Sequence, residues 1–291
     1  MCDEHFEEDA KEYQRRMRLS RREFGALTVG ASMSVFLPRA EGAVAVTESD
    51  VNVKTPDGTA DCYFVHPSSG TGAGVLVWPD ILGLRPAFRQ MGKRLAESGY
   101  SVLVVNPFYR QKKAPVVPEG ASFSDPAVRD TVTPLARALN PTTHTTDAKA
   151  FLAFLDSQNA VAKNRKIGTT GYCMGGPMVM RTAAAVPDRV GAAATFHGGG
   201  LVAMGDSSPH LLIPQMKAQF LIAIAENDDT SAPDAKNVLR DTFAKAGLSA
   251  EIEVYAGAQH GWCPPDSAVY NQSQAERAWS RLLVLFEKAL A

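Results

Sequence analysis

The sequence is poor in the residues that tie a fold together covalently or through a metal. Its four cysteines, Cys2, Cys62, Cys173 and Cys263, are scattered over 291 residues. No two form a C-x-x-C pair, so neither a disulfide framework nor a structural zinc site is expected, and no metal or organic cofactor is implied. No apolar run reaches the roughly 18 residues that a membrane-spanning helix needs. Neither sign of charge is in excess, with 30 Lys and Arg against 31 Asp and Glu. The net charge of −1 and a pI near 6.6 leave no electrostatic footprint for nucleic acid or an anionic membrane surface as partner. No internal repeat is visible. What remains is an ordinary globular composition, 45% hydrophobic and 21% charged, long enough for one large domain or two small ones.

The chain opens with a charged, polar stretch over residues 1–16 that reads as a disordered lead. Ser20-Arg21-Arg22-Glu23-Phe24 follows, then an uncharged stretch over 25–37. This resembles a twin-arginine export signal, with Ala43-Val44-Ala45 suited to a signal peptidase. An amphipathic helix with a chance Arg pair is the other reading. Residues 1–45 are thus expected to be lead and signal, the protein being periplasmic or secreted, or cytoplasmic if the signal is not one. Residues 46–291 are expected to form one domain, monomeric or homodimeric.

Within that domain, alternation over 51–54 and 60–65 around Asp57-Gly58 predicts a hairpin. Residues 74–78 and 101–107 are continuously apolar, and a helical spacing over 87–98 lies between them. Further apolar strands are read at 165–167 leading into 168–171, at 190–196, at 219–225 and at 251–255. Helices are read at 146–158 (capped by Thr145 or Thr146), from 178 to about 185, at 233–246 and at 274–290. Residues 108–140, with Pro115, Pro118, Pro126 and Pro134, read as a loop with short helices over one sheet edge. Strands apolar on both faces and alternating with helices predict an α/β fold with a mostly parallel central sheet and helices on both faces.

Chemistry collects at three strand ends. Gly171-Tyr172-Cys173-Met174-Gly175 has the G-x-nucleophile-x-G spacing of a sharp strand-to-helix turn, with Cys as the nucleophile. The following helix points its N-terminus at the sulfur, and the Met174 N–H is placed for an oxyanion. Alone, the pattern also describes a buried structural cysteine. Asp228 and Asp229 follow a later strand, and His260 a later one still. Nucleophile, acid, histidine is the chain order of α/β-hydrolases, and a parallel sheet brings all three to one edge. Asp228 is preferred as the acid, with Asp229 the alternative. His260 would take the thiol proton and return it to a leaving group.

At these residues the sequence resembles the dienelactone hydrolase family, over about residues 51–290. The similar motifs are Gly74 to Gly83, Gly99-Tyr100 to Pro107, Tyr109, Gly171-Tyr172-Cys173-Met174-Gly175-Gly176, Asp228 and His260-Gly261. The resemblance implies an α/β-hydrolase with a Cys-His-Asp triad that opens a small-molecule enol-lactone or ester through a thioester. It implies that Asp80, one methylene shorter than the family's Glu, contacts and activates the thiol, and that Ile81 supplies a second oxyanion N–H. Family members hold a substrate carboxylate with arginines, one shortly after the histidine. Residues 261–266 here contain none, and Arg110 and Arg129 are the substitutes considered. His197 and Trp262 are candidates to line the pocket. A broad carboxylesterase or thioesterase, or a non-catalytic thiol sensor, are the alternative functions.

Overall fold

A computed structural model of the chain describes Leu37 and residues 42–291. The export-signal motif at 20–24 and most of the 1–45 segment lie outside the described residues. Of that segment's end, Val44 N–H donates to Glu97 O at 3.0 Å and Ala45 O accepts from Ser68 N–H at 2.8 Å.

Eight strands form one sheet in the order β1-β2-β4-β3-β5-β6-β7-β8. Strands β1 (Val46–Thr55) and β2 (Gly58–Pro67) are the expected hairpin, and β2 runs antiparallel to β4 (Ser101–Val105). The other neighbours, including β3 (Gly74–Trp78), β5 (Ile167–Tyr172), β6 (Val190–Phe196), β7 (Gln219–Ala225) and β8 (Ala250–Tyr255), are parallel.

The inner strands are apolar throughout because both faces are covered. Side chains alternate between two cores, Val75, Val77, Val102 and Val104 to one side and Leu76, Trp78, Leu103 and Val105 to the other. On the first side lie α1 (Pro86–Glu97), through Phe88, Met91 and Leu95, and the last helix α7 (Gln272–Ala289), through Trp279, Leu282 and Phe286. On the second lie α3 (Pro141–Ser157), α4 (Gly175–Ala185) and α6 (Ala235–Ala246). Each fully buried Phe or Leu adds about 1.5–3 kcal/mol by leaving water.

One expectation needs correction. Helix α3 starts at Pro141, not at 146. Asn140 accepts from Thr142 and Thr143 N–H, and Thr143 Oγ1 accepts from Asn140 N–H. That reciprocal cap, with Pro at the first helical position, outcompetes the later threonines. The 108–140 region, expected as a loop with short helices, contains a three-turn helix, α2 (Pro126–Arg137), capped by Asp125 and carrying Pro134 within it. Its Val128, Val132 and Leu135 meet Phe108, Val116 and Val117 in a third, smaller apolar cluster, against which Ile81, Leu82 and Met174 pack. The proline-rich segment therefore seals the sheet edge above the strand ends.

Packing is tight at the start of α4, where a Cβ on Gly175 would lie 2.4 Å from Trp78 O. Gly175→Ala should therefore lower the stability by about 1–3 kcal/mol in urea unfolding. Gly199→Ala, where nothing lies within 4 Å of the added atom, should leave it nearly unchanged. Equal midpoints for the two variants would show that α4 and β3 are not in this contact.

Candidate active site

Strand β5 ends at Tyr172 and α4 begins at Gly175, so Cys173 and Met174 alone turn the chain. Cys173 adopts φ 52, in the left-handed region that costs a non-glycine residue about 1–2 kcal/mol. Hydrogen bonds hold it there. Its N–H donates to Phe196 O at 3.0 Å, and its carbonyl accepts from Gly176 N–H at 3.0 Å. The glycines are needed because three backbones cross. A Cβ on Gly171 would lie 2.5 Å from Gly175 O, and one on Gly176 would lie 2.7 Å from Gly198 Cα. The half-buried thiol of Cys173 is free.

The second group is strapped from the side. A short helix, α5 (Glu226–Ser231), follows β7, and three of its side chains hold the loop after β8. Glu226 accepts from Gly257 N–H at 2.8 Å through its carboxylate, and Asn227 Oδ1 accepts from His260 N–H at 2.8 Å. Asp228 accepts from His260 Nδ1–H at 2.8 and 3.0 Å through its two oxygens. Asp229 is turned away and pairs with Lys236 at 2.6 Å.

Burial alone would push the His260 imidazole down. Hydrogen bonding to Asp228 and to Cys173 outweighs it, and the group is pushed up to about 10. His197 stands behind it. This residue has φ 42, is 1% exposed, and has no hydrogen-bond partner on either ring nitrogen among the described residues. Its ring meets those of His260 at 5.0 Å and Trp262 at 5.1 Å, both edge-on. Burial, and then the neighbouring His260, hold His197 well below the usual histidine range, so it is a neutral wall. Trp262 is buried, stacked on Tyr255.

The oxyanion candidates lie on two turns. Residues 80–83 form a β-turn closed by Gly83 N–H to Asp80 O at 2.9 Å, with Gly83 at φ 75. Ile81 is the first central residue, so its N–H takes no part in closing the turn. Neither Ile81 N–H nor Met174 N–H donates to a protein acceptor among the described residues. Asp80 itself, 9% exposed, is occupied elsewhere. Its oxygens accept from Arg85 at 2.7 and 2.9 Å, and Oδ1 also accepts from Leu82 N–H at 2.9 Å. No hydrogen bond joins Asp80 to Cys173 among the described residues.

The arginines considered for a substrate carboxylate are also engaged. Arg110 binds Asp57 and Asp147, and Arg129 binds the Phe123 and Ser124 carbonyls. Among the described residues no group of three or more His, Cys, Asp or Glu could hold a metal, and no helix is long and apolar enough to cross a membrane.

Glu226, Asn227, Arg85 and Asp266 carry no signal in the sequence reading. The partners of Glu226, Asn227 and Asp228 lie 31 to 33 residues away in the chain.

The sequence profile of the dienelactone hydrolase family matches residues 60–290. A carboxymethylenebutenolidase from Rhodococcus opacus is 28% identical over 248 residues, covering 81% of this chain and 90% of that protein. Among solved structures, a dienelactone hydrolase-like promiscuous phosphotriesterase from metagenomic libraries matches with TM-score 0.71 and 20% identity. It covers 85% of this chain and 100% of its own. The dienelactone hydrolase from Anabaena variabilis matches with TM-score 0.58 at 17% identity, over 84% of this chain and 99% of its own. At those identities the structures share the α/β-hydrolase fold.

A histidine raised from about 6.5 when unfolded to about 10 when folded favours the folded state fully below pH 6.5. That contribution is lost as the pH rises through about 10. Urea midpoints measured across this window should therefore fall more steeply for the native sequence than for His260→Gln. Parallel slopes would mean that the pairing with Asp228 does not stabilise the imidazolium.

Proposed function

Because the chain belongs to the dienelactone hydrolase family, whose members it resembles as a hydrolase of ester or lactone bonds, we propose that it works through Cys173, His260 and Asp228. The observation that supports this most is the two-oxygen grip of Asp228 on His260 Nδ1–H, with Cys173 the other group acting on the same imidazole. Asp228 fixes the tautomer and stabilises the imidazolium, which leaves Nε2 for the thiol.

In the proposed reaction Cys173 gives its proton to His260 Nε2, and Sγ attacks the carbonyl carbon. The oxyanion is received by the Met174 and Ile81 N–H groups. Its collapse breaks the C–O bond. The departing oxygen takes the proton from Nε2, and a thioester remains on Cys173. In a lactone the released hydroxyl, or enol, stays tethered to the acyl group. Water then attacks while His260 takes one of its protons. The carboxylic acid leaves and Cys173 regains a proton. No cofactor enters the balance.

The substrate class is an enol-lactone or small carboxylic ester. A broader carboxylesterase or thioesterase is favoured by one observation, the absence of an arginine in residues 261–266 together with the engagement of Arg110 and Arg129. The motif Ser20-Arg21-Arg22-Glu23-Phe24 supports export through a twin-arginine route. We read residues 46–291 as the catalytic domain, acting as a monomer or homodimer.

Single-turnover mass spectrometry of the full chain with p-nitrophenyl acetate tests the reading. An acyl adduct should map to Cys173 and be absent in His260→Ala, and Asp228→Asn should acylate about 10²- to 10⁴-fold more slowly. Relative rates on an enol-lactone and on simple esters then separate the two substrate readings. A folded, reduced chain with no adduct would move the assignment to a thiol sensor.

A further inference from the structure

We propose that Arg85 is a positioning residue for the oxyanion site, holding the Ile81 turn in place and bolting it to the loop that carries His260. The proposal rests on the reading of Ile81 N–H as an oxyanion donor.

Arg85 is 7% exposed, and the bonds it makes account for all five of its N–H donors. Nη1 donates to Asp80 Oδ1 at 2.7 Å and to Gly83 O at 3.3 Å. Nη2 donates to Asp80 Oδ2 at 2.9 Å and to Asp266 Oδ1 at 3.0 Å. Nε donates to Asp266 Oδ2 at 2.6 Å. Two carboxylates are thus each held by two bonds on one planar fork, which a lysine cannot reproduce.

The consequence falls on Ile81. Asp80 opens its turn and Gly83 closes it, and Arg85 holds the Asp80 side chain and the Gly83 carbonyl together. The Asp80 carboxylate in turn fixes Leu82 N–H. The peptide that presents Ile81 N–H is therefore pinned on both sides by atoms that answer to Arg85. The other carboxylate, Asp266, belongs to the β8–α7 loop six residues after His260 and 181 residues from Arg85. One guanidinium so links the turn that receives the oxyanion to the loop that supplies the base.

This gives Asp80 a different task from thiol activation. Both of its oxygens are spent on Arg85, and the buried pair is stable only while each partner stays satisfied. A group held this way orients the backbone and does not collect the thiol proton.

Two reactions of Cys173 separate the roles. Acylation by p-nitrophenyl acetate passes through an oxyanion. Alkylation by iodoacetamide forms the S–C bond as iodide leaves and develops no oxyanion, though it needs the same thiolate. Arg85→Lys and Asp266→Ala should slow acylation about 10- to 100-fold with KM little changed. Alkylation should stay within about twofold of the native rate, since the oxyanion donors take no part in it. Asp266 has a 35% exposed side chain, so its alanine variant reports even if Arg85→Lys fails to fold. Unchanged acylation in the folded variants would overturn the proposal. So would a parallel fall in alkylation, which would place Arg85 behind the thiol. A native chain that is alkylated but never acylated would instead remove the hydrolase reading beneath it.

Discussion

The contact between Gly175 and the end of β3 sets the frame for every other group at the site. Trp78 O would meet a Cβ on Gly175 at 2.4 Å, so helix α4 can start where it does only with hydrogen there. That start fixes Cys173 in its left-handed turn and points the first N–H groups of α4 toward the strand ends. It also fixes the distance from the thiol to the β3–α1 turn, because the same carbonyl ends the strand that Asp80 and Ile81 follow. The Cys173 turn and the Asp80–Gly83 turn are thus registered by backbone packing, which is stiffer than any side-chain contact.

The remaining groups reach that frame through side-chain straps of long sequence separation. The histidine loop is sewn to α5 by Glu226, Asn227 and Asp228, each bonded to a different group of residues 257–260. The Asp80–Gly83 turn is tied to the same loop farther along, at Asp266, by Arg85. Behind the imidazole the support is apolar in character although two of its members are heteroaromatic. His197 and Trp262 are buried edge-on, and a second cation beside His260 is excluded because His197 is held neutral. A positive imidazolium with Asp228 on one nitrogen is therefore met by no competing charge from that wall.

How much of this was legible in the sequence follows from what each feature depends on. The parallel sheet could be read because alternate side chains of β3 and β4 enter two cores, which leaves uninterrupted apolar runs. The elbow could be read because its residue types recur at a fixed short spacing, and one of its glycines, Gly171, answers to a contact only four residues away, at Gly175. Asp228 and Asp229 could not be separated by spacing. What tells them apart is Lys236, which holds Asp229 from the next helix. The start of α3 was misread because threonines at 145–146 look like caps, whereas the Asn140–Thr143 pair satisfies two ends of the backbone at once.

Asp80 shows why position in a motif does not determine a partner. A carboxylate at the end of β3 has two choices within reach, the thiol across the elbow or a cation on its own turn. The chain places Arg85 five residues on, at the entrance of α1, where the extended backbone preceding Pro86 carries the guanidinium back over the turn. An acid one methylene shorter than Glu reaches that cation with two bonds of 2.7 and 2.9 Å. Once both oxygens are committed, pulling one away toward the thiol would expose a buried guanidinium, which costs several kcal/mol. The short side chain and the nearby arginine therefore act together. They commit this carboxylate to its own turn, with both oxygens on Arg85.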